Sequence, residues 1–382
     1  MPDSRNMRQT FSRTTDELRQ GEVITRTLTV RRILSRVGIQ LIVVIVLLGC
    51  LSRINLPVEP TRGRVVISGQ VSTIADQNVV ELGITAGTLR LPEPLSGASV
   101  VVFDDLGYTS TWHEDPAKPG LYKPEFFNAE PGREYFVEVT VPDGRMFKSL
   151  PERMPDVVAD VEVYHAIEED LYTDREGTVS AHPFVKVYTN NLLPETPAFL
   201  RWSVEECYVI RPTDFPDPFG YVPPPCYILA NPDPQRIVLY NGLEQQPGRM
   251  DNLLVASRLL DRSFFDRHYF TVYQSSLTRE AFDYWRKVDI VANRVGSIFD
   301  APPAMVTGNI SSVNDPEEIV LGYFQAVNQT MERFFILPSD LAVPIPYTNC
   351  QYRSDRLTKD YAPECLDCLS VRNSSLVRPE WF

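Results

Sequence analysis

The sequence predicts a mostly β protein, and three features of the residue pattern lead to that fold class. Apolar and polar residues alternate in short runs from residue 65 onward, and this period of two is typical of strands with one buried face. Proline is frequent, with 32 in 382 residues, and it interrupts helices because it lacks a backbone N–H. Only the stretch at about 279–295 has the spacing of an amphipathic helix.

The first strands lie in residues 63–155, which we predict to form an amino-terminal β-sandwich of the Ig-like or carboxypeptidase-regulatory-like kind. Alternating apolar residues at 65–71 and 135–141 each predict one buried strand face. Asp143 and Gly144 follow the second run, and an Asp-Gly pair favours a tight hairpin turn. Strands at this spacing, with no helical pattern between them, are typical of a small sandwich that binds or supports rather than catalyses.

Residues 156–382 are predicted to form a larger, β-rich α+β domain that contains the one prominent helix, at about 279–295. Thr278 is a suitable N-cap for this helix, and Gly296 is a suitable stop. Trp285 falls on the apolar stripe, so we expect its ring to face a sheet. The strands of this domain are predicted at 184–188, 199–202, 268–273, 304–310 and 318–328.

The chain opens with the pattern of an export signal. Three arginines between residues 31 and 36 precede an apolar run at 39–48, and the sequence L-L-G-C closes it. A run of about ten apolar residues is too short for a bilayer, which needs ~20 helical residues. The pattern indicates a signal peptide, 1–49, that is cleaved after Gly49, and a lipid attached to Cys50. An uncleaved anchor, or a buried strand that ends in cysteine, is the alternative.

Residues 50–62 contain two prolines and no periodic pattern, so we interpret them as a lipidated tether. The expected contact with the membrane is through the lipid on Cys50. Each buried methylene contributes about 0.8 kcal/mol, so several acyl chains hold a protein far better than one.

The rest of the chain is acidic. Residues 1–49 hold eight arginines and four acids, so their removal leaves 29 basic and 46 acidic residues of the 37 and 50 in the full sequence. Binding of nucleic acid depends on Lys and Arg that neutralise phosphates, so we expect no nucleic-acid partner. The same charge disfavours adsorption to anionic lipid, which leaves the lipid on Cys50 as the means of attachment.

Five cysteines follow the lipidated one, and in an exported protein they can be oxidised. The disulfide candidates are Cys207, Cys226, Cys350, Cys365 and Cys368. The sequence does not show which of them pair, and an odd number leaves at least one thiol free or paired with another chain. A zinc site at the last three is the alternative, but a fourth ligand is missing nearby because the last histidine is His268. We therefore expect a carboxy-terminal disulfide and no metal.

Several short motifs occur in an order that resembles one known family. They are S-G-A-S-V-V-V (96–102), G-L-Y (120–122), S-L-T-R-E-A-F-D-Y-W (276–285), G-S-I-F-D-A-P-P (296–303), G-N-I (308–310), L-G-Y-F-Q-A (321–326), C-L-D-C (365–368) and R-P-E-W-F (378–382). Together they resemble the Bacteroidota lipoproteins catalogued as domain of unknown function 4249. The resemblance covers roughly residues 65–382.

The resemblance implies a lipid site at Cys50 and assigns no catalytic residue. Five positions of its motifs are Gly308, Asn309, Gly322, Tyr323 and Phe324. We interpret these positions as determinants of the fold, because glycine permits close backbone approach and aromatic rings pack.

The resemblance also implies a cellular setting. Members of the family tend to be encoded beside TonB-dependent outer-membrane transporters, so an outer-membrane location and a β-barrel partner protein are expected. The residues after Cys50 lack the acidic cluster that surface-exposed lipoproteins of such bacteria share. The side of the outer membrane that the body faces, periplasmic or external, is therefore left open.

Three functions are compatible with these observations. The first is a non-catalytic accessory lipoprotein of a TonB-dependent transporter or another envelope complex. The alternative is a lipoprotein that binds a small ligand, a glycan or a peptide. The third is an envelope hydrolase, but the sequence contains no G-x-S-x-G, H-E-x-x-H or Walker motif. We therefore expect neither enzymatic activity nor a cofactor.

Overall fold

The computed structural model describes residues 63–86, 92–156, 160–174, 177–193, 195, 197–213, 223–244, 248–293, 305–345, 350 and 352–382. The predicted signal peptide, Gly49, Cys50, the tether at 50–62 and the predicted stop Gly296 lie outside these residues. The segment Pro60–Phe382 is one compact unit.

Nineteen strands are described, and the chain is mostly β as predicted. The strands of the first half are β1 (Val65–Ser72), β2 (Val79–Ile84), β3 (Glu93–Pro94), β4 (Ser99–Asp104), β5 (Thr109–Glu114), β6 (Leu121–Lys123), β7 (Glu134–Thr140), β8 (Met146–Ser149), β9 (Glu152–Arg153) and β10 (Asp160–Thr173). The remaining strands are β11 (Val179–Leu193), β12 (Phe199–Ile210), β13 (Cys226–Ala230), β14 (Val238–Asn241), β15 (Gly248–Leu259), β16 (His268–Leu277), β17 (Ile310–Ser312), β18 (Phe324–Ile336) and β19 (Ser374–Ser375).

Within the described residues, the helices are few and mostly short. The α-helices are α1 (Arg279–Ala292) and α2 (Pro363–Leu366). Single 3₁₀ turns lie at Ala75–Gln77, Arg262–Phe264, Pro338–Asp340, Thr358–Asp360 and Cys368–Ser370.

Sixteen of the strands belong to one continuously paired sheet. Its order is β17-β8-β7-β4-β5-β6-β2-β1-β18-β16-β12-β13-β19, with β3, β9 and β14 attached to β2, β7 and β12. Strands β10, β11 and β15 form a separate antiparallel sheet. The pairing between β1 and β18 is parallel, with Gly69 opposite Phe324 and Ser72 opposite Val327. This parallel pair joins the early strands of the chain to the late ones.

Two large apolar clusters form the core. The first contains the predicted alternating residues of β1 and β7, such as Ile67 and Val137, each fully buried. It is completed by residues from far along the chain, including Ile310 and Phe324. The second cluster lies between 185 and 336 and contains Trp202, which is 2% exposed.

The predicted division into domains at 63–155 and 156–382 stays a prediction, as does the sandwich arrangement of the first part. The first cluster draws on residues from both sides of the predicted boundary, and β1 pairs with β18 across it.

The prominent helix begins where it was predicted. The Thr278 side chain accepts a hydrogen bond from the Ala281 backbone N–H at 3.1 Å, which makes it the N-cap. The helix ends at Ala292, and Asn293 is its C-cap. Trp285 faces the sheet as expected, since its indole N–H donates to Gln325 at 2.8 Å.

Two strands were predicted at the wrong residues. The strand expected at 304–310 is the short β17, Ile310–Ser312, and the strand expected at 318–328 is β18, Phe324–Ile336. The later start of β18 has a physical cause in Gly322. Its φ of 97° breaks the extended conformation just before β18. The apolar residues before it belong to a bridge beside β1, in which Leu321 lies opposite Val66.

Candidate functional site

An open cleft lies where the start of β7, β9, the start of α1 and the segments before β17 and β18 meet. Its volume is about 540 Å³. The lining residues are Glu134, Leu150, Pro151, Glu152, Arg153, Thr278, Glu280, Asp283, Tyr284, Lys287, Thr307, Gly308, Asn309 and Tyr323. A cavity of this size is suited to a small ligand.

The most buried acidic group in this cleft is Glu152, which is 5% exposed. One carboxylate oxygen accepts a short hydrogen bond from the Tyr323 hydroxyl and a longer one, 3.5 Å, from the Asn309 amide. The other oxygen accepts from the Thr278 hydroxyl at 2.7 Å. Three neutral donors, from three separate parts of the chain, therefore hold this carboxyl group in place.

Burial controls the electrostatics of this group. Desolvation raises the pKa of Glu152 above its usual range, and the hydrogen bonds from Tyr323 and Thr278 oppose that shift. Burial, together with the charge of Glu152, also raises the pKa of Tyr323, so the phenol stays protonated and donates. The floor of the cleft thus presents a carboxyl group that is costly to ionise unless a ligand provides compensating charge.

The raised pKa gives a testable pH dependence. In the unfolded chain Glu152 ionises near pH 4.5, whereas in the folded chain it ionises at a higher pH. As pH rises above 4.5, the unfolded state loses its proton first, so the folded state loses stability. We therefore expect wild type to become less stable relative to Glu152→Gln, which does not titrate there, as pH increases. Urea unfolding of both proteins between pH 4 and pH 8 measures this difference, and a difference that is constant or changes in the opposite direction would contradict the expectation.

Asn309 is fixed by the backbone of β18 as well as by the cleft. Its amide nitrogen donates to the Phe324 carbonyl at 2.8 Å, and its side-chain oxygen accepts from the Phe324 N–H at 3.0 Å. This pair of bonds holds the start of β18 beside the segment that precedes β17. The adjacent Tyr323 is thereby positioned with its hydroxyl on Glu152.

The two motif glycines lie at close backbone contacts behind this arrangement. A Cβ atom on Gly308 would overlap the carbonyl oxygen of Gly322. A Cβ atom on Gly322 would overlap the carbonyl oxygen of Ile67 in β1. The five motif residues noted in the sequence therefore lie together, and two of them, Asn309 and Tyr323, bond directly to Glu152.

Sequence reasoning missed Glu152 as a site residue. It lies in the segment P-E-R-M-P, where a lone glutamate between prolines is typical of an exposed turn. Thr278 was identified only as a helix cap, yet its hydroxyl accepts from Ala281 and also donates to Glu152. The sequence signal that could have identified the site was the pair of motifs G-N-I and L-G-Y-F. Their polar residues, Asn309 and Tyr323, need a hydrogen-bonding partner when they are buried.

The cysteines form two disulfides, which confirms the expectation of a carboxy-terminal disulfide. Cys226 pairs with Cys368, and Cys350 pairs with Cys365. Cys207 is the free cysteine of the described residues. It is 2% exposed, and burial raises the pKa of its thiol to about 12, which makes it unreactive at neutral pH.

A second ionisable cluster lies away from the cleft and is enclosed. His268 is fully buried, and its Nε2 lies 3.0 Å from the Glu206 carboxylate, which also accepts from Arg258 at 2.8 Å. The His268 ring stacks on Phe264 with 4.0 Å between ring centroids. Burial lowers the pKa of His268, so the ring is neutral, and its contacts are those of a packed interior.

Two kinds of feature are absent from the described part of the chain. No helix in it is both long and apolar enough to cross a membrane. Within the same residues, no group of three or more His, Cys, Asp or Glu side chains is placed to hold a metal ion.

Comparison with known proteins adds one finding. A family model described as Domain of unknown function (DUF4249) matches residues 52–333. The chain belongs to the DUF4249 family. No curated protein and no solved structure matches the chain. The DUF4249 match includes every residue that lines the cleft, and it ends before Cys350, Cys365 and Cys368.

Proposed function

We propose that this chain is an outer-membrane lipoprotein, held by lipid on Cys50, that acts as a non-catalytic accessory protein of a TonB-dependent transporter or another envelope complex. The support for lipid attachment is the signal pattern at 31–50, which ends in L-L-G-C. The proposal leaves open which side of the outer membrane the body faces.

The observation that carries the accessory role is an exposed group of apolar side chains, which we call the apolar tip. It consists of Leu106, Tyr108 and Phe126, which are 78%, 58% and 89% exposed. Tyr108 packs near the Phe127 ring, with 6.5 Å between centroids. Large apolar side chains exposed at the same end of the strands favour a protein interaction site there.

The apolar tip lies at one end of the strands. The strand pairings place the tip at the end of the strands where β1 finishes, whereas Gly63 precedes the start of β1. Gly63, the first described residue, therefore lies at the opposite end of β1 from the tip. We propose that the tip contacts an integral outer-membrane protein.

Site-specific photocrosslinking in native outer membranes tests this role. A photoreactive side chain at Phe126 is expected to crosslink to an integral outer-membrane transporter. The matched control is Val313, which is 54% exposed and lies beside Met146 at the other end of the strands. Cys50→Ala should abolish the Phe126 crosslink by releasing the chain from the membrane. Equal crosslinking from both positions, or recovery of this chain alone, would refute the accessory role.

The cleft favours a second candidate, a lipoprotein that binds a small ligand. The support is the open cavity of about 540 Å³ with Glu152 in its floor. A stacking platform for glycans is less favoured, because Trp112 and Trp202 are each 2% exposed and the Arg201 guanidinium covers the Trp285 ring at 3.6 Å. The polar floor of the cleft fits a charged or hydrogen-bonding ligand better.

A further inference from the structure

We infer that the cleft binds the positively charged nitrogen group of a ligand, an ammonium or a guanidinium, through the carboxylate of Glu152. This inference rests on the ligand-binding role proposed above for the same cleft. It does not depend on the accessory role of the apolar tip.

Glu152 is buried without a counter-charge from the described residues. Among the described residues, Glu152 makes no ion pair, and its hydrogen bonds come from the hydroxyls of Tyr323 and Thr278 and the amide of Asn309. All three donors are neutral. Elsewhere in the chain a comparably buried carboxylate, Glu206, is paired with Arg258 at 2.8 Å. A buried carboxylate without a cation gains the most from a cationic ligand, because the ligand supplies the charge that water would otherwise compensate.

Glu152 is also accessible to a ligand. Glu152 lines an open cleft, so a ligand can reach it, whereas Glu206 lies beside the fully buried His268. Tyr323 and Tyr284 both line the same cleft, with 4.8 Å between their ring centroids. Aromatic faces attract cations, which adds to the attraction of the carboxylate.

The charges around the entrance of the cleft leave Glu152 without compensation. The cleft is lined by four acids, Glu134, Glu152, Glu280 and Asp283, and by two bases, Arg153 and Lys287. Asp283 is already paired with Arg286 at 2.9 Å. The remaining entrance charges balance, so the uncompensated charge is that of Glu152 itself. Burial raises the pKa of this same group.

The same nitrogen chemistry occurs in a lysine side chain of a peptide and in a free diamine. The experiment uses probes that separate these sources. N-acetyl-lysine methylamide represents the peptide, and 1,5-diaminopentane represents the free amine. N-acetyl-norleucine methylamide has nearly the shape of the lysine probe without its charge.

Isothermal titration of the full chain in detergent at pH 8 measures the binding of each probe. We expect saturable binding of the lysine probe or the diamine, and at least tenfold weaker binding of the norleucine probe. Glu152→Gln, which keeps the shape and an acceptor oxygen, should weaken binding of the charged probe at least tenfold. The matched control Glu332→Gln removes an exposed acid of β18 that does not line the cleft and should weaken binding less than threefold.

The outcomes separate this inference from the proposals on which it rests. Equal binding of the lysine and norleucine probes would overturn the cation inference while keeping a ligand-binding cleft. Unchanged affinity in Glu152→Gln, with a melting temperature that shows an intact fold, would also overturn it. If no probe binds, the inference fails, and the accessory role is still judged by the crosslinks at Phe126.

Discussion

Gly322→Ala is expected to destabilise the protein by about 4 kcal/mol, which is at the upper end for a single substitution. The added Cβ atom would overlap the carbonyl oxygen of Ile67, and β1 cannot move aside without losing its pairing with β18. The backbone at Gly322 also has a φ of 97°, which side chains other than glycine rarely adopt. Two separate costs, overlap and backbone strain, therefore add at one position. The midpoint of urea unfolding measures the loss.

A matched glycine isolates the two costs. Gly144, in the turn between β7 and β8, has a φ of 91°, and a Cβ atom added there would meet no other atom within 4 Å. Gly144→Ala should therefore show the backbone cost alone, about 1–2 kcal/mol. Gly308→Ala overlaps the Gly322 carbonyl oxygen without a positive φ and should show the cost of overlap alone. Equal losses in Gly322→Ala and Gly144→Ala would mean that the contact with β1 is not tight.

Removal of the Cys226–Cys368 disulfide should cost more stability than removal of the Cys350–Cys365 disulfide. The first closes a loop with a sequence separation of 142, and the second closes one of only 15. A crosslink stabilises mainly by restricting the unfolded chain, and the restriction increases with the length of the loop. The expected losses are about 5 kcal/mol for Cys226→Ala with Cys368→Ala and about 3 kcal/mol for the other pair.

Unfolding of both double variants in guanidinium chloride measures this order. Cys207→Ala is the matched control, since it removes a buried cysteine that has no disulfide. It should cost only the packing of one small side chain. A reversed order of the two double variants would show that local strain or packing outweighs the entropy of the loop.

Local structure was predictable where the sequence signals for it act over only a few residues. The alternation at 65–71 and 135–141 placed the buried faces of β1 and β7 correctly, since side chains of a strand point alternately to opposite sides. The Thr278 cap was predictable for the same reason, because it bonds to Ala281 only three residues away. The start of β18 was not, because the break before it lies at Gly322, whose close contact is with Ile67 of β1, far away in the sequence.

The cleft could not be predicted because its contacts span long stretches of chain. Glu152 and Tyr323 are 171 residues apart in sequence, and Glu152 and Thr278 are 126 apart. No periodicity or motif spacing reports such a contact. The motifs that contain Asn309 and Tyr323 were recognised, but the buried carboxyl that they bind was hidden in a segment typical of a turn. The pairing of the cysteines was unpredictable for the same reason.

The parallel pairing of β1 with β18 has a consequence for the order of events in folding. Gln70 of β1 bonds to Gln325 of β18, which is 255 residues away. The first apolar cluster, which includes Phe324, can therefore close only after most of the chain has been synthesised. Contacts this distant in sequence slow folding, because the entropy of closing the loop is lost before the contact stabilises the chain. A polypeptide with this topology therefore stays open for longer while it is being made.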